Sequence, residues 1–244
     1  EANRPPSTGP DSATMLEDAA TVNLDVLVND VDPNLDPASL AIDTAPANGT
    51  AVVVAGPTID YTPAPDYFGP DNFVYEVCDT SAACSTQTVT VTLTPVNDAP
   101  GFTVGPDQVV LEDAGGQTVD PHPTAISPGP ANESGQSTSF TVTNDNAALF
   151  KNAPTINDSG RLQYEAWDDV SGSATVTVSI SDDGGTADGG VDTSAGQTFT
   201  ITVTGVNDQP GFADGADPTV DECTGPHTFA GWATAITAGA AEEV

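Results

Sequence analysis

Strict alternation of apolar and polar residues is the clearest pattern along the chain. Residues 88–94 read Thr-Val-Thr-Val-Thr-Leu-Thr, and residues 73–77, 175–180 and 198–204 alternate in the same way. A period of two places the apolar side chains on one face, which predicts half-buried β-strands. Gly, Pro, Asn and Asp separate such segments about every ten residues, as in a sandwich or barrel. We therefore predict an all-β fold.

Composition supports this prediction. The chain has 23 Gly, 21 Pro and one Met, and its apolar segments consist mainly of Val, Ile and Ala interleaved with Thr. Such a chain lacks the long straight side chains that favour helices, whereas β-branched residues suit a pleated surface. We find no helical period longer than two turns.

An internal repeat predicts the domain organisation. Residues 96–102 (Val-Asn-Asp-Ala-Pro-Gly-Phe) recur as residues 206–212 (Val-Asn-Asp-Gln-Pro-Gly-Phe), and residues 3–6 (Asn-Arg-Pro-Pro) are a degenerate copy. Each copy has the character of a linker. We expect one β-sandwich at 1–95, a second at 96–205, and the opening part of a third, incomplete repeat at 206–244.

Charge excludes several classes of partner. The sequence carries 36 acidic and three basic side chains, a formal net charge of −33. Nucleic-acid binding requires a basic footprint, and anionic membranes would repel this chain. No apolar run approaches the ~20 residues that span a bilayer, so we expect no membrane insertion in this segment. No charged and then apolar leader follows Glu1, so any signal peptide has been removed or lies outside this sequence.

Several motifs in fixed order carry a family resemblance. Residues 15–18 (Met-Leu-Glu-Asp), 25–33 (Asp-Val-Leu-Val-Asn-Asp-Val-Asp-Pro), 46–50 and 67–77 resemble bacterial cadherin-like and Ig-like tandem repeats. In the second unit, Leu-Glu-Asp-Ala-Gly at 111–115 is similar to a related variety. The resemblance implies Greek-key β-sandwiches of about seven strands each, arranged in a linear array. Such repeats fill the stalks of large adhesins and other secreted surface proteins.

The resemblance also implies Ca²⁺ at the junctions between repeats, held by carboxylate and carbonyl oxygens. Mapped by motif, the ligands of the first junction would be Glu17, Asp18, Asp79, Asn97, Asp98, Asn132 and Glu133. Those of the second junction would be Glu112, Asp113, Asp182, Asp183, Asn207, Asp208, Glu242 and Glu243. The alternative is a solvated acidic surface, because an acid-rich chain forms some Asp clusters anywhere.

An EF-hand is not expected, although the acids of residues 30–36 have the spacing of its first half. Leu35 stands where Gly is required and Ala41 where Glu is required. The resemblance places this loop at an upstream junction instead. There Arg4 replaces the linker Asp, so we expect a weak or absent metal site.

Cysteine spacing predicts a disulfide and hence an oxidising compartment. Cys78 and Cys84 flank a short turn between two predicted strands, where a bridge is geometrically easy. Two free thiols are the alternative, and zinc is disfavoured because no further Cys or His is near in sequence. Cys223 has no evident partner.

The search for catalytic motifs finds no phosphate loop, zinc-protease or nucleophile-elbow signature. His122 and His227 occupy equivalent places in successive repeats, which favours a structural or incidental role. Spacing alone leaves carboxylate pairs for glycoside hydrolysis open, but Trp167 and Trp232 are the only tryptophans. We do not expect an enzyme.

The favoured function is a calcium-stiffened stalk or filament segment of an extracellular or cell-surface bacterial protein, used in adhesion or as a spacer. Its partners would be neighbouring repeats or copies of the same protein, with a surface glycan or protein as a further possibility. One alternative is a carbohydrate- or protein-binding module using Phe150, Tyr164 and Trp167. Another is an accessory region of an exported enzyme.

The incomplete third repeat makes its own prediction. Two or three strands cannot bury both faces of a sandwich, so Val220, Phe229, Trp232 and Ile236 should face solvent. We hypothesise that more of the array, or a neighbouring copy, completes this repeat.

Overall fold

The computed structural model describes residues 3–223 and 225–239. The chain folds as two units. The first unit combines residues 3–100 with Ser127–Ser137 and Asp182–Asp192, and the second contains the remaining segments. Strands dominate both units, so the predicted all-β fold is confirmed.

The first unit is a β-sandwich. Its strands are β1 (Asp11–Leu16), β2 (Val22–Leu24), β3 (Leu35–Thr44), β4 (Gly49–Val54), β5 (Thr58–Pro63), β6 (Gly69–Asp79) and β7 (Cys84–Thr94). One sheet has the order β1-β7-β6-β3 and the other the order β2-β5-β4. β1 pairs with β7 in parallel, whereas β6 and β7 form an antiparallel hairpin. 3₁₀ turns at Ala131–Glu133 and Ala187–Gly189 belong to the later segments of this unit.

The core of the first unit follows the period-two pattern. Phe73, Tyr75 and Val77 on β6 are fully buried, and Tyr61 of β5 stacks on Phe73 with ring centroids 6.0 Å apart. The buried Asp71 accepts a hydrogen bond from the Tyr61 hydroxyl at 2.8 Å. These buried polar atoms are thus paired within the apolar core, as native interiors require.

The second unit repeats this arrangement. Its strands are β8 (Gly101–Thr103), β9 (Gln108–Leu111), β10 (Gln117–Val119), β11 (Thr124–Ser127), β12 (Ser139–Asn144), β13 (Phe150–Ile156), β14 (Leu162–Ala166), β15 (Gly172–Ser181) and β16 (Gln197–Thr204), with a 3₁₀ turn at Ala147–Leu149. The sheet orders are β12-β15-β16-β9, β10-β14-β13 and β11-β8. β9 pairs with β16 in parallel, as β1 does with β7. The last residue of β11, Ser127, falls in the first unit.

Buried side chains of β14, β15 and β16 form the core of the second unit. His122 is 1% exposed and packs against Phe199 with ring centroids 4.2 Å apart. Its Nε2 lies 3.1 Å from the carbonyl oxygen of Pro106, and burial lowers the pKa of the imidazole. This environment gives His122 a packing role.

The last strands, β17 (Gly211–Ala213) and β18 (Thr234–Thr237), form a two-stranded antiparallel sheet. Val220, Phe229, Trp232 and Ile236 are all exposed, as the sequence predicts. Cys223 is a free, exposed thiol.

Candidate metal centre

The parallel pairing of β1 with β7 places Glu17 beside the linker. The Glu17 N–H donates to the carbonyl oxygen of Thr94 at 2.9 Å, which extends the ladder by one residue. Its carboxylate accepts the Val96 N–H at 2.7 Å and the Asn132 amide at 3.1 Å. Glu17 is only 2% exposed, so the fold buries a carboxylate where the linker begins.

Three further carboxylates converge next to Glu17. Asp18, Asp66 and Asp98 offer oxygen atoms that all lie within 4.8 Å of one another. Asp18 and Asp66 have φ of 56° and 55°, a left-handed conformation that Asp tolerates better than most residues. The Asp66 N–H donates to Asp18 Oδ1 at 3.0 Å. Asp98, which belongs to the linker, therefore lies close to Asp18 and Asp66, which belong to two different loops.

The later segments of the first unit add more oxygen ligands to this cluster. Glu133 is 7% exposed and accepts the Asp98 N–H at 2.9 Å. Asp182 accepts the Asn97 side-chain amide at 3.0 Å. A Cβ at Gly184 would overlap the Asn97 side chain, so a larger residue at this position would displace Asn97. We call Glu17, Asp18, Asp66, Asp98, Glu133 and Asp182 the first cluster.

Mutual repulsion shapes the electrostatics of the first cluster. Burial raises the pKa of Glu17, and the charges of Asp18, Asp98 and Glu133 raise it further. Burial, followed by the Asp18 and Asp66 charges, raises the pKa of Asp98. The pKa of Glu133 is raised by burial and by Asp98 and Asp182. Without a cation, these carboxylates hold protons more tightly than exposed acids do.

The second unit contains an equivalent group of acids, the second cluster. The Glu112 N–H donates to Thr204 O at 3.0 Å, and its carboxylate accepts the Val206 N–H at 2.5 Å. Asp113, Asp169 and Asp208 again offer oxygens within 4.8 Å of one another. Burial and the charges of Asp208 and Asp113 raise the pKa of Asp169.

The two clusters share backbone conformation as well as composition. Asp113 and Asp169 have φ of 62° and 58°, matching Asp18 and Asp66. A chance accumulation of surface acids would not reproduce the same left-handed residues at two repeat-equivalent places. The equivalence therefore favours a built site.

The structure separates some residues that the sequence analysis grouped. Asp79 ends β6 at the β6–β7 turn, where it accepts a hydrogen bond from Asn3 at 2.5 Å. Glu17 lies beside Thr94, at the other end of β7. Thr94 is ten residues from Cys84, where β7 begins at the turn, and this corresponds to ~33 Å at the rise of a strand. The predicted grouping of Asp79 with the first junction is therefore wrong.

The sequence analysis also placed Asp182 and Asp183 at the second junction, which is wrong. Asp182 contacts linker Asn97, and Asp183 accepts the Ser137 N–H at 2.9 Å, both within the first unit. Asn207 donates to the backbone oxygen of its neighbour Asp208 at 2.9 Å. Glu242 and Glu243 lie outside the described residues.

Asp66 and Asp169 were missed by the sequence analysis. Each stands three residues before a glycine that opens a strand, Gly69 of β6 and Gly172 of β15. That shared Asp-x-x-Gly spacing is the signal that could have identified them.

Cys78 and Cys84 form a disulfide between directly paired residues of β6 and β7. In the second unit, Ser181 and Thr193 are paired instead, with hydroxyl oxygens 2.9 Å apart.

Residues 30–36 lie in a loop and a strand and are not flanked by helices. Within the described residues, no helix has the length and apolar character needed to cross a membrane.

Comparison with known proteins finds a matching family and similar folds. Residues 3–92 match the family described as "Bacterial Ig domain". Human protocadherin-24 EC1-2 has a similar fold, with a TM-score of 0.55 at 16% identity over 83% of this chain and 100% of that one. Mouse cadherin-23 EC22-24 gives a TM-score of 0.54 at 14% identity over 87% of this chain and 71% of that one. No curated protein matches the chain.

Residues 3–92 thus match the bacterial Ig domain family, and the chain shares the β-sandwich fold of cadherin repeats, as the motifs predict.

Proposed function

We propose that the chain is a calcium-stiffened stalk or filament segment of a secreted or cell-surface bacterial protein, used in adhesion or as a spacer. One observation carries the proposal, namely that the same arrangement of carboxylates occurs twice, with Asp98 and Asp208 in equivalent linkers. Each arrangement joins a linker to the loop that follows the parallel-paired strand of a repeat, β1 or β9. A cation bound there would restrain the linker.

The chemistry of the donors fits Ca²⁺. Both clusters offer carboxylate oxygens and no thiol or imidazole, which disfavours zinc. Among the described residues, Asp98 Oδ2, Glu133 Oε2, Asp182 Oδ2 and Glu112 Oε2 are buried without a hydrogen-bond partner. A buried oxygen left unpaired is costly, whereas Ca²⁺ accepts six to eight oxygens in irregular geometry.

The first cluster would hold the ion with Glu17, Asp18, Asp66, Asp98, Glu133 and Asp182, and the second with Glu112, Asp113, Asp169 and Asp208. The ion would supply the positive charge that the carboxylates lack. Each cluster includes one linker residue and at least two residues from folded loops. Calcium binding would therefore hold the linker in a fixed position against the folded loops of the repeat.

The remaining features suit an extracellular setting. A disulfide persists in oxidising compartments, and extracellular calcium modules bind at roughly 10⁻⁴–10⁻³ M. The net charge of −33 favours solubility and disfavours contact with anionic surfaces. We expect neighbouring repeats or copies of the same protein to be the main partners.

Thermal unfolding in chelator and in excess Ca²⁺ tests the proposal. At about 100 times the dissociation constant, each bound ion stabilises the fold by ~2.7 kcal/mol, so the melting temperature should rise clearly. Subtilisin should cut the linker at residues 95–100 faster in chelator than in Ca²⁺. Identical melting curves and identical cleavage would refute calcium stiffening, and an equal response to Mg²⁺ would refute its selectivity.

A further inference from the structure

The upstream linker, residues 3–6, is anchored by the same contact as the linker at 96–100. The Asn3 side-chain amide donates to Asp79 at 2.5 Å, and the Asn97 amide donates to Asp182 at 3.0 Å. Each of these aspartates stands ten residues after the glycine that opens β6 or β15. Each also accepts the backbone N–H two residues further on, at 2.8 and 2.9 Å. Asn3 and Asn97 therefore occupy equivalent positions.

The residue that follows the Asn differs among the three linkers. It is Asp98 in the second and Asp208 in the third, but Arg4 in the first. Each linker Asp has oxygens within 4.8 Å of two aspartates of the preceding repeat. These pairs are Asp18 with Asp66, and Asp113 with Asp169. This linker position thus directs its side chain toward the acidic loops of the repeat before it.

Arg4 brings a positive charge to that position. The other two cations of the sequence are ion-paired, Lys151 with Glu165 at 2.8 Å and Arg161 with Asp120 at 2.9 Å. Arg4 is exposed and forms no ion pair with any acid that the structure describes. Its guanidinium is therefore available to carboxylates outside the first repeat.

We propose that Arg4 takes the place of a metal ion, inserting its guanidinium into the carboxylate cluster of another repeat of this class. A guanidinium is always charged, and its fork of N–H donors pairs bidentately with carboxylates. Exchanging Asp for Arg at this linker position removes one negative charge and adds one positive charge. The repulsion that calls for a cation at the first cluster would then be offset by the protein itself.

The inference rests on the proposed function only in treating the linkers as junctions between repeats. A junction closed by Arg4 would form without calcium and would weaken with salt, because exposed ion pairs are screened. Junctions closed by Asp98 or Asp208 would need the ion. One stalk would thus combine junctions that respond to calcium with one that does not.

Transplanting the upstream linker into the first cluster tests the proposal in the full chain. Asp98→Arg with Ala99→Pro turns residues 97–100 into Asn-Arg-Pro-Pro, the sequence of residues 3–6. Asp98→Ala with Ala99→Pro is the matched control. Asp18 and Asp66 are exposed, which leaves room for the longer side chain. In chelator, we expect the transplant to melt about 2–4 °C or more above the control.

Salt and charge removal identify the cause of that difference. It should largely disappear in about 1 M NaCl, where the Debye length is ~3 Å. It should also disappear when Asp18→Asn and Asp66→Asn are added to both variants. Adding Asp43→Asn and Asp60→Asn instead removes two charges elsewhere in the first unit and should preserve it. Asp98→Arg and Asp98→Ala repeat the comparison with Ala99 in place, in case the proline prevents folding.

Equal melting temperatures in chelator would overturn the proposal. A difference that persists in high salt, or after loss of the Asp18 and Asp66 charges, would also overturn it, because the guanidinium would then act outside the cluster. The comparison is made entirely in chelator and so does not depend on calcium binding. The calcium proposal fails by a different result, namely identical melting of the wild-type protein in chelator and in Ca²⁺.

Discussion

The two carboxylate clusters share a core of four acids but differ in what surrounds it. In each, a Glu buried directly after the parallel-paired strand lies beside three aspartates from separate loops. The first cluster also contains Glu133 and Asp182, which come from later segments of the first unit. In the described part of the chain, the second cluster has no such additional acids.

The two additional acids of the first cluster indicate which ligands should raise its calcium affinity. A core of four acids is enough to create repulsion, but two further carboxylates and burial add ligands and exclude water. Ligand charge count and rigidity are what tune calcium affinity. Counting only the ligands that the structure describes, we therefore expect the first cluster to bind Ca²⁺ more tightly than the second.

The largest expected effect is the difference between Asp98→Ala and Asp208→Ala in Ca²⁺-dependent stabilisation. Loss of Asp98 removes the linker ligand from the stronger site, so about 2.7 kcal/mol of Ca²⁺-dependent stabilisation should disappear at saturating calcium. Asp208→Ala should remove less. Chemical unfolding with and without Ca²⁺ measures both, with Asp60→Ala as a control that leaves the calcium response intact. A larger loss in Asp208→Ala would reverse the predicted order of the two sites.

The disulfide distinguishes the two repeats in a second way, since the second has hydroxyls where the first has Cys78 and Cys84. Its loop is short, so replacing both cysteines with serine should cost about 2 kcal/mol without changing the calcium response. Mass spectrometry of the unreduced protein should show the bridged peptide. Two alkylatable thiols in freshly isolated protein would contradict the bridge and weaken the argument for export.

Glu133→Gln sharpens the comparison within one cluster. It removes a charge from the first cluster only, while the amide can still accept the Asp98 N–H. We expect about tenfold weaker calcium binding at one class of site, corresponding to ~1.4 kcal/mol, and no change at the other. Calorimetric titration resolves the two classes, and a uniform loss at both would argue against separate sites.

The pH dependence of stability should change sign with calcium. Burial and neighbouring carboxylates raise the pKa of Glu17, Asp98 and Glu133 above their unfolded values. The folded state therefore binds protons more tightly than the unfolded chain, and stability falls as pH rises from about 4 through the raised pKa values. Calcium displaces those protons, so the loaded protein should gain stability over the same window.

Unfolding free energies at pH 5 and pH 7, in calcium-depleted buffer and in Ca²⁺, measure this effect. Asp79 and Glu165 have lowered pKa values, through the Ala83 N–H and Lys151 respectively. Their stabilisation is lost only below their unfolded values, about 4. The lowered pKa of His122 makes stability rise with pH up to about 6.5, but it does so equally in both buffers. The difference between the two buffers is therefore the readout, and an equal change in both would contradict the prediction.

Much of the fold could be predicted from sequence because burial follows the period of two. β6 and β7 alternate almost without exception, and the linker copies mark the repeats. The irregular β13 could not be predicted, because two register shifts break the alternation at Asn152 and leave no periodic signal.

The candidate site could be predicted only where ligands adjoin a recurring motif, as Glu17 and Asp98 do. Asp66 was missed because it lies 48 residues beyond Asp18 in sequence. Its left-handed backbone conformation brings it next to Asp18 only in the folded structure. Asp79 was misplaced because one antiparallel strand carries the chain from its turn to the opposite end of the sheet. Strand direction, which the hairpin itself implies, would have corrected that error.

Isothermal titration of Ca²⁺ into chelator-treated protein tests the central claim most directly. We predict saturable binding with a dissociation constant of roughly 10⁻⁴–10⁻³ M or tighter, and loss of the tighter phase in Asp98→Ala. Absence of saturable binding up to 10 mM Ca²⁺, about ten times the weak end of that range, would contradict the claim that these carboxylates form calcium sites.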